Sequence, residues 1–279
     1  MTTVAANGIE IWFDETGDPD GPVLLMICGL GAQAVGYSDE LTEEFAALGM
    51  RVIRYDNRDI GLSTHLPEGT AYTLADMADD GVGLLDALGV ERAHLWGCSM
   101  GGMIAQQIAI DHPDRAITLT SIMSTTGEPD VGNPAPEIIG DLIASAVAPV
   151  DADDYVVKGM AMARLIGSVP AIFDEEEHLR RNTAMSKRGW DPTGSGRQLA
   201  AVWSSGDRAA GLAALELPTL VIHGTADRLV DISGGRRTAE LVPGARFVEL
   251  EGMGHDLPRA YRSTYVGETD ALISVTETG

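Results

Sequence analysis

The chain has 279 residues, 44% of them hydrophobic and 22% charged, enough apolar material for a large core without disulfide staples. Its formal net charge is −23, which argues against nucleic acid and anionic membrane as partners and sets up mild repulsion of anionic substrates. No apolar run approaches the ~18–20 residues of a membrane span, and the first twenty residues hold neither Lys or Arg nor an apolar stretch of signal-peptide type. A soluble, cytoplasmic protein is expected, as monomer or homodimer. The only cysteines, Cys28 and Cys98, read as reduced buried thiols in that compartment, and no metal site is expected.

In chain order, Val4 to Asp14 reads as a hairpin turned at Asn7-Gly8. Val23 to Ile27 is a continuous apolar run, the pattern of a strand buried on both faces, and it runs into the glycine-rich Cys28-Gly29-Leu30-Gly31. Ser38 to Gly49 predicts a capped amphipathic helix, and Arg51 to Tyr55 the next strand. Asp56 to Ser63 is a polar loop, expected to form a local hydrogen-bonded network under the site. Leu74 to Leu88 has helical spacing. Ala93 to Trp96 is apolar and meets Gly97-Cys98-Ser99-Met100-Gly101-Gly102, after which a helical pattern runs to His112-Pro113. Ala116 to Met123 is another strand.

Thr125 to about Leu215 breaks the alternation. It opens with a Gly/Pro/Asn-rich loop and continues with helical pieces at Glu137–Val147, Asp153–Ile166, Glu175–Lys187 and Arg197–Trp203. This predicts a helical cap over residues 125–215, inserted into an α/β core formed by 1–124 and 216–279. Met160, Met162, Leu165, Ile172, Phe173, Trp190 and Trp203 are candidates to line an apolar pocket, although each taken singly fits the cap's own core better. Alternation resumes with strands at Pro218–His223 and Ala245–Leu250, then a final helix within Tyr261–Ile273. The whole predicts a mostly parallel eight-stranded sheet with helices on both faces and a ligand site beyond the carboxyl ends of its strands.

Gly97 to Gly101 is G-x-S-x-G between a strand and a helix, the context of a nucleophile elbow. No other serine fits the pattern. A serine hydroxyl stays protonated near neutral pH, so it needs a base, and the base needs an orienting acid. Of the six histidines, only His255 sits in a glycine-flanked loop after a late strand, where it can swing over the sheet edge. Asp227 follows the preceding strand, 255 − 227 = 28 residues earlier, an interval of one helix and one strand that returns both side chains to the same edge. Asp231, Asp256, Glu128 and Asp130 are placed less well. The order Ser99, Asp227, His255 is that of the α/β-hydrolases. Two backbone donors for an oxyanion are expected at Met100 and, from the loop after the first buried strand, at Leu30.

Gly-Cys-Ser-Met-Gly-Gly at 97–102, Arg-Tyr-Asp-Asn-Arg-Asp-Ile-Gly-Leu-Ser at 54–63, Pro-Thr-Leu-Val-Ile-His-Gly-Thr-Ala-Asp at 218–227 and Gly-Met-Gly-His at 252–255 together resemble α/β-hydrolase fold enzymes of the carboxylesterase group. Within that group the resemblance is to the aclacinomycin methylesterases and related bacterial hydrolases. It covers residues 8–124 and 218–271 well and the cap poorly. One departure is Cys28, where many relatives carry His before the glycine. The resemblance implies Ser99, Asp227 and His255 as the triad, the Leu30 and Met100 amides as the oxyanion pair, a small-molecule ester as substrate and no cofactor. Lactone hydrolysis, C–C bond hydrolysis and cofactor-free perhydrolysis are alternatives on the same triad, and a slow-turnover receptor is an alternative of another class.

Overall fold

The computed structural model describes residues 2–145, 147–191 and 193–277. Eight strands form one sheet: β1 (Thr3–Ala6), β2 (Ile9–Gly17), β3 (Val23–Ile27), β4 (Arg51–Tyr55), β5 (Ala93–Cys98), β6 (Ala116–Ile122), β7 (Thr219–Gly224) and β8 (Arg246–Leu250). Their spatial order is β1-β2-β4-β3-β5-β6-β7-β8. β1 and β2 join antiparallel, as do β2 and β4, and every later pairing is parallel. The Asn7-Gly8 hairpin has positive φ at both turn residues (46° and 78°), the twist that matches a two-residue hairpin.

Side chains alternate across the central strands and divide the core in two. Leu25, Ile27, Leu95 and Leu119 point to one face, where α2 (Leu74–Ala87) and α3 (Met100–Asp111) cover them. Leu24, Met26, Trp96, Ile122, Leu220 and Ile222 point to the other, under α1 (Asp39–Ala46) and the C-terminal helix at Arg262–Glu277. Trp96 is fully buried; its Nε1–H donates to Thr269 Oγ1 (3.2 Å), and Tyr37 and Phe45 meet it edge-on at 5.4 and 6.0 Å. Ser38 caps α1 as its sequence predicts, and Thr73 with Asp76 forms a full capping box on α2.

Among the described residues five helices lie between β6 and β7: α4 (Ile139–Ser145), α5 (Ala152–Ile166), α6 (Glu175–Arg188), α7 (Gly194–Ser204) and α8 (Ala209–Ala213), followed after β7 by α9 (Ser233–Leu241) and at the end by α10 (Arg262–Glu277). The first predicted helix is shorter than its pattern: a 3₁₀ turn at Pro136–Ile138 precedes α4, and Ala146 lies outside the described residues. α8, only five residues long, has no sequence signature. Among the described residues no helix is long and apolar enough to cross a membrane.

The polar loop after β4 reaches beyond its own segment. Arg188 of α6 pairs with Asp56 (2.6 Å) and lies over the Trp12 ring at 3.8 Å. Arg197 of α7 makes two bonds to Asp59 (2.8 and 2.9 Å). The expected local network is therefore also the clasp that holds two inserted helices to the core.

Space is tightest where β5 enters α3. A Cβ on Gly101 would stand 2.0 Å from the Ile27 carbonyl oxygen of β3, whereas one on Gly267 in α10 would meet nothing within 4 Å. Gly101→Ala should cost about 3 kcal/mol or more, because the obstacle is backbone of a central strand. Gly267→Ala should be neutral or stabilising by up to about 1 kcal/mol through helix propensity. Urea unfolding midpoints measure the contrast; equal shifts would contradict it.

Candidate active site

Ser99 ends β5 and opens α3 with φ 56° and ψ −123°, a conformation costly for any residue with a Cβ. The turn is held by position on every side. Ser99 N–H donates to Ile122 O (2.8 Å), Ser124 Oγ–H donates to Ser99 O (2.9 Å), and Gly102 and Met103 N–H donate to the same carbonyl (2.9 and 3.1 Å). A Cβ on Gly97 would lie 2.1 Å from Gly101 O, and one on Gly102 would lie 2.7 Å from Ser124 Cβ. The glycines of the motif are steric requirements, and the strain they permit lifts Ser99 Oγ off the strand end.

The loop after β8 brings His255 to this hydroxyl. His255 Nε2 is 2.9 Å from Ser99 Oγ, and Nδ1 is 2.8 Å from Asp227 Oδ2. The His255 backbone N–H donates to Ile166 O at the end of α5 (2.8 Å), so the inserted helices help fix the loop. Asp227 sits in the β7–α9 connection and is buried. Its Oδ1 accepts from the Leu229 and Val230 amides, both at 2.9 Å. His223 Nε2–H donates to Val230 O (2.9 Å) and is 3.4 Å from Asp227 Oδ2. Burial pushes the Asp227 carboxyl up, but the His255 charge and the hydrogen bonds from His223 and His255 outweigh it, so the pKa falls below the ordinary carboxylate range. An ionised Asp227 accepts only. Nδ1 of His255 therefore carries the proton, and Nε2 presents its lone pair to the serine.

The other acids weighed from sequence have partners elsewhere. Asp256 accepts from Ser168 Oγ (2.5 Å) and contacts His178 Nε2 (3.0 Å); Glu128 pairs with Arg237 (2.9 Å); Asp231 accepts from Ser233 N–H (2.9 Å). Beside Ser99 runs the Gly29–Gly31 loop. A Cβ on Gly29 would stand 3.2 Å from Ser99 Cβ and from Cys98 O, so any larger residue would push this loop a few tenths of an ångström away from the serine. Gly31 N–H donates to Gln198 Oε1 of α7 (2.9 Å), and Gln198 Nε2–H donates to Arg58 O (2.9 Å). Asn57 Nδ2–H holds Cys28 O (3.0 Å) from the other side. The loop carrying the Leu30 amide is thus braced by a fully buried glutamine that the sequence reading missed. An isolated glutamine on an inserted helix carries no motif that would single it out. Met100 N–H opens the first turn of α3, where amides lack intrahelical acceptors.

These groups open onto a cavity of about 1170 Å³, above the usual ~300–1,000 Å³ of small-molecule pockets. Ser99, His255, Leu30 and Met100 lie in its wall, with much of the remainder supplied by the inserted helices. Of the proposed pocket residues, Met162, Trp190 and Trp203 line it, Trp203 being largely exposed. Met160 and Phe173 do not: Met160 is buried against Asn182 and Phe173 stacks on His178 at 4.7 Å, both inside the insertion's own packing. Leu165 and Ile172 also stand outside the lining. Helical periodicity cannot tell Met160 from Met162, which leave α5 in different directions.

Residues 22–161 match the family model described as alpha/beta hydrolase fold. The chain is 31% identical to rhodomycin D methylesterase DauP of Streptomyces sp. (strain C5) over 277 residues, covering 92% of each chain. The same identity and coverage hold for rhodomycin D methylesterase DnrP of Streptomyces peucetius. A crystal structure of a hydrolase from Pseudomonas aeruginosa PA01 superposes with a TM-score of 0.77 at 26% identity, covering 100% of this chain and 98% of that one.

A depressed Asp227 pKa stabilises the fold above the unfolded-state value of about 3.9, and that contribution is lost as pH falls toward the lower folded-state value. Asp227→Asn lacks this dependence. The stability gap between wild type and Asp227→Asn should therefore be present at pH 5 and narrow steadily below about pH 4. Chemical denaturation across pH 3–6 reads it; a gap independent of pH would contradict the assigned charge state.

Proposed function

The chain belongs to the α/β-hydrolase fold family, and we propose that it is a serine hydrolase cleaving carboxylic esters through an acyl-enzyme. The observation that carries this reading is the continuous chain from Ser99 Oγ through His255 to buried Asp227, with contacts of 2.9 and 2.8 Å.

In the proposed cycle, Ser99 Oγ attacks the ester carbonyl while its proton passes to His255 Nε2. Asp227 holds the imidazolium that forms and fixes its orientation. Negative charge gathers on the carbonyl oxygen, and the Leu30 and Met100 amides receive it. Both donors are fixed by backbone, so they need little rearrangement as the charge develops. Collapse expels the alcohol, which takes the proton from His255 Nε2 and leaves the acyl group on Ser99. A water molecule then attacks with His255 as base. The acid is released and the serine regains its proton, so ester and water give acid and alcohol with no cofactor. The same groups do the chemistry in both halves, with His255 passing from base to acid each time.

Substrate choice is assigned to the cavity. Its size suits a bulky acid esterified to a small alcohol, and the similarity to two methylesterases supports a methyl or short alkyl ester. Met162 and Trp190 supply apolar wall, and Trp203 sits at an exposed edge. We assign residues 125–215 as the cap that makes this wall.

Ser99→Ala should lower kcat/KM for p-nitrophenyl butyrate by about 10⁴-fold or more, and Asp227→Asn by about 10³–10⁴-fold. Leu30→Ala should cost less than about tenfold, because the proposed donor is its amide and not its side chain. Steady-state kinetics on folded variants checks all three. Turnover that survives Ser99→Ala would overturn the proposed chemistry.

A further inference from the structure

Two arginines in the cavity wall, Arg181 and Arg208, have no carboxylate within 4.0 Å among the described residues; Arg208 is satisfied by Gln106 Oε1 and Thr125 O (2.9 and 2.8 Å), whereas Arg181 keeps an unpartnered Nε. Arg181 projects from α6 and lines the cavity. It packs on the loop after β3, where a Cβ on Gly36 would be 3.6 Å from Arg181 Cδ. Its charge also reaches Cys98, the residue before Ser99: burial pushes that thiol up to about 12, with Tyr37 and Arg181 pulling the other way. Arg181, Ser99 and His255 line the same cavity.

The carboxylates in the same wall are engaged elsewhere. Asp174 pairs with Arg259 (3.1 Å), Glu177 with Arg180 (2.6 Å) and Asp191 with Arg197 (2.5 Å). Asp256 is occupied by Ser168 and His178. No carboxylate lies within 4.0 Å of Arg181 among the described residues. Its hydrogen-bond partner in the protein is neutral: Nη2–H donates to His178 Nδ1 (3.1 Å). That bond fixes the histidine. Because Nδ1 accepts, Nε2–H donates to Asp256 Oδ2 (3.0 Å), and Phe173 stacks on the ring at 4.7 Å. The guanidinium is thus held by the Asp256–His178 pair, and the Asp256 and Glu177 charges act on it only from beyond contact distance. Nε is sealed with no partner. Burial is also the main influence on its proton affinity, pulling the pKa down.

A guanidinium taken out of water without a counter-ion is costly to hold. A planar carboxylate accepting from its free N–H groups returns more of that loss than a neutral acceptor does. We propose that Arg181 is a specificity residue, and that the ester this cavity selects carries a second, free carboxylate on its acid portion. The overall charge of −23 opposes anions at long range, but an enclosed cation acts over a few ångströms where surface charge is screened. The inference rests on the ester-hydrolase reading for the word ester, and its test is separable from that reading.

The test measures binding, so it does not depend on turnover. Ser99→Ala protein is titrated calorimetrically with monomethyl adipate, suberate and sebacate, each against its dimethyl ester. The series spans several distances between ester and carboxylate. At least one half-ester should bind ten-fold or more tighter than its diester. The preference should vanish in Ser99→Ala/Arg181→Met and persist in weakened form in Ser99→Ala/Arg181→Lys, which keeps the charge but not the fork. If the methionine variant does not fold, the lysine variant carries the comparison, with a two-fold or greater loss of preference expected. Equal binding of half-ester and diester throughout the series, or a preference unchanged by both substitutions, would overturn the proposal. Hydrolysis of the same esters by protein with Ser99 intact reports separately on the esterase reading.

Discussion

Everything in the site depends on one strained residue. Ser99 holds a positive φ that a non-glycine residue avoids, and it does so because neighbouring backbone leaves it no alternative. The atoms that a Cβ on Gly97 or Gly101 would meet near 2 Å are main chain, not flexible side-chain ends, so a larger residue there could not be accommodated by a rotamer change. Its amide is tied to β6 and its carbonyl caps the first turn of α3. The cost of this conformation is offset by the packing of the two halves of the sheet core around it. In return the hydroxyl stands clear of the strand end, next to the first amides of a helix.

The second constraint is electrostatic. Asp227 keeps its charge in a buried place because two amides, His255 and His223 surround it. That fixed charge selects the tautomer of His255, and the tautomer decides that the lone pair faces Ser99. The inserted helices act on the same geometry from above. Ile166 O holds the His255 amide, Gln198 braces the Leu30 loop, and Arg188 and Arg197 clasp the polar loop after β4. Segments that look like a lid from their position in the chain are also part of the frame. A substitution in α7 can therefore disturb the Gly29–Gly31 loop beside Ser99 without altering the cavity wall at Ser99 or His255.

The fold and the three converging side chains were legible in the sequence for different reasons. The hairpin, the buried strands and the Ser99 turn announce themselves locally, through Asn-Gly, unbroken apolar runs and glycines spaced around one serine. Asp227 and His255 have no such local signature. They were found because parallel strands return successive connections to one edge, so order along the chain becomes proximity in space. That logic stops at β6. The helices described between β6 and β7 have no sheet to set their direction, and periodicity says only that each has an apolar side. Met160 and Met162 show the consequence: two residues apart, one is buried in the insertion and the other faces the cavity. Phe173 was misread in the same way. Arg181 was invisible among the charges of α6, because what distinguishes it is a guanidinium with no carboxylate in contact and an unpartnered Nε, a property of packing and not of sequence.

The central claim, that this strained turn makes Ser99 the nucleophile, is tested most directly by a fluorophosphonate, which bonds covalently to an activated serine. Intact-mass analysis followed by peptide mapping would locate the adduct. The account predicts one adduct per chain, on Ser99, formed quickly in the wild type and strongly suppressed in His255→Ala, where the base is missing but the turn remains. An adduct on another residue, or labelling of Ser99 that is indifferent to His255, would contradict it.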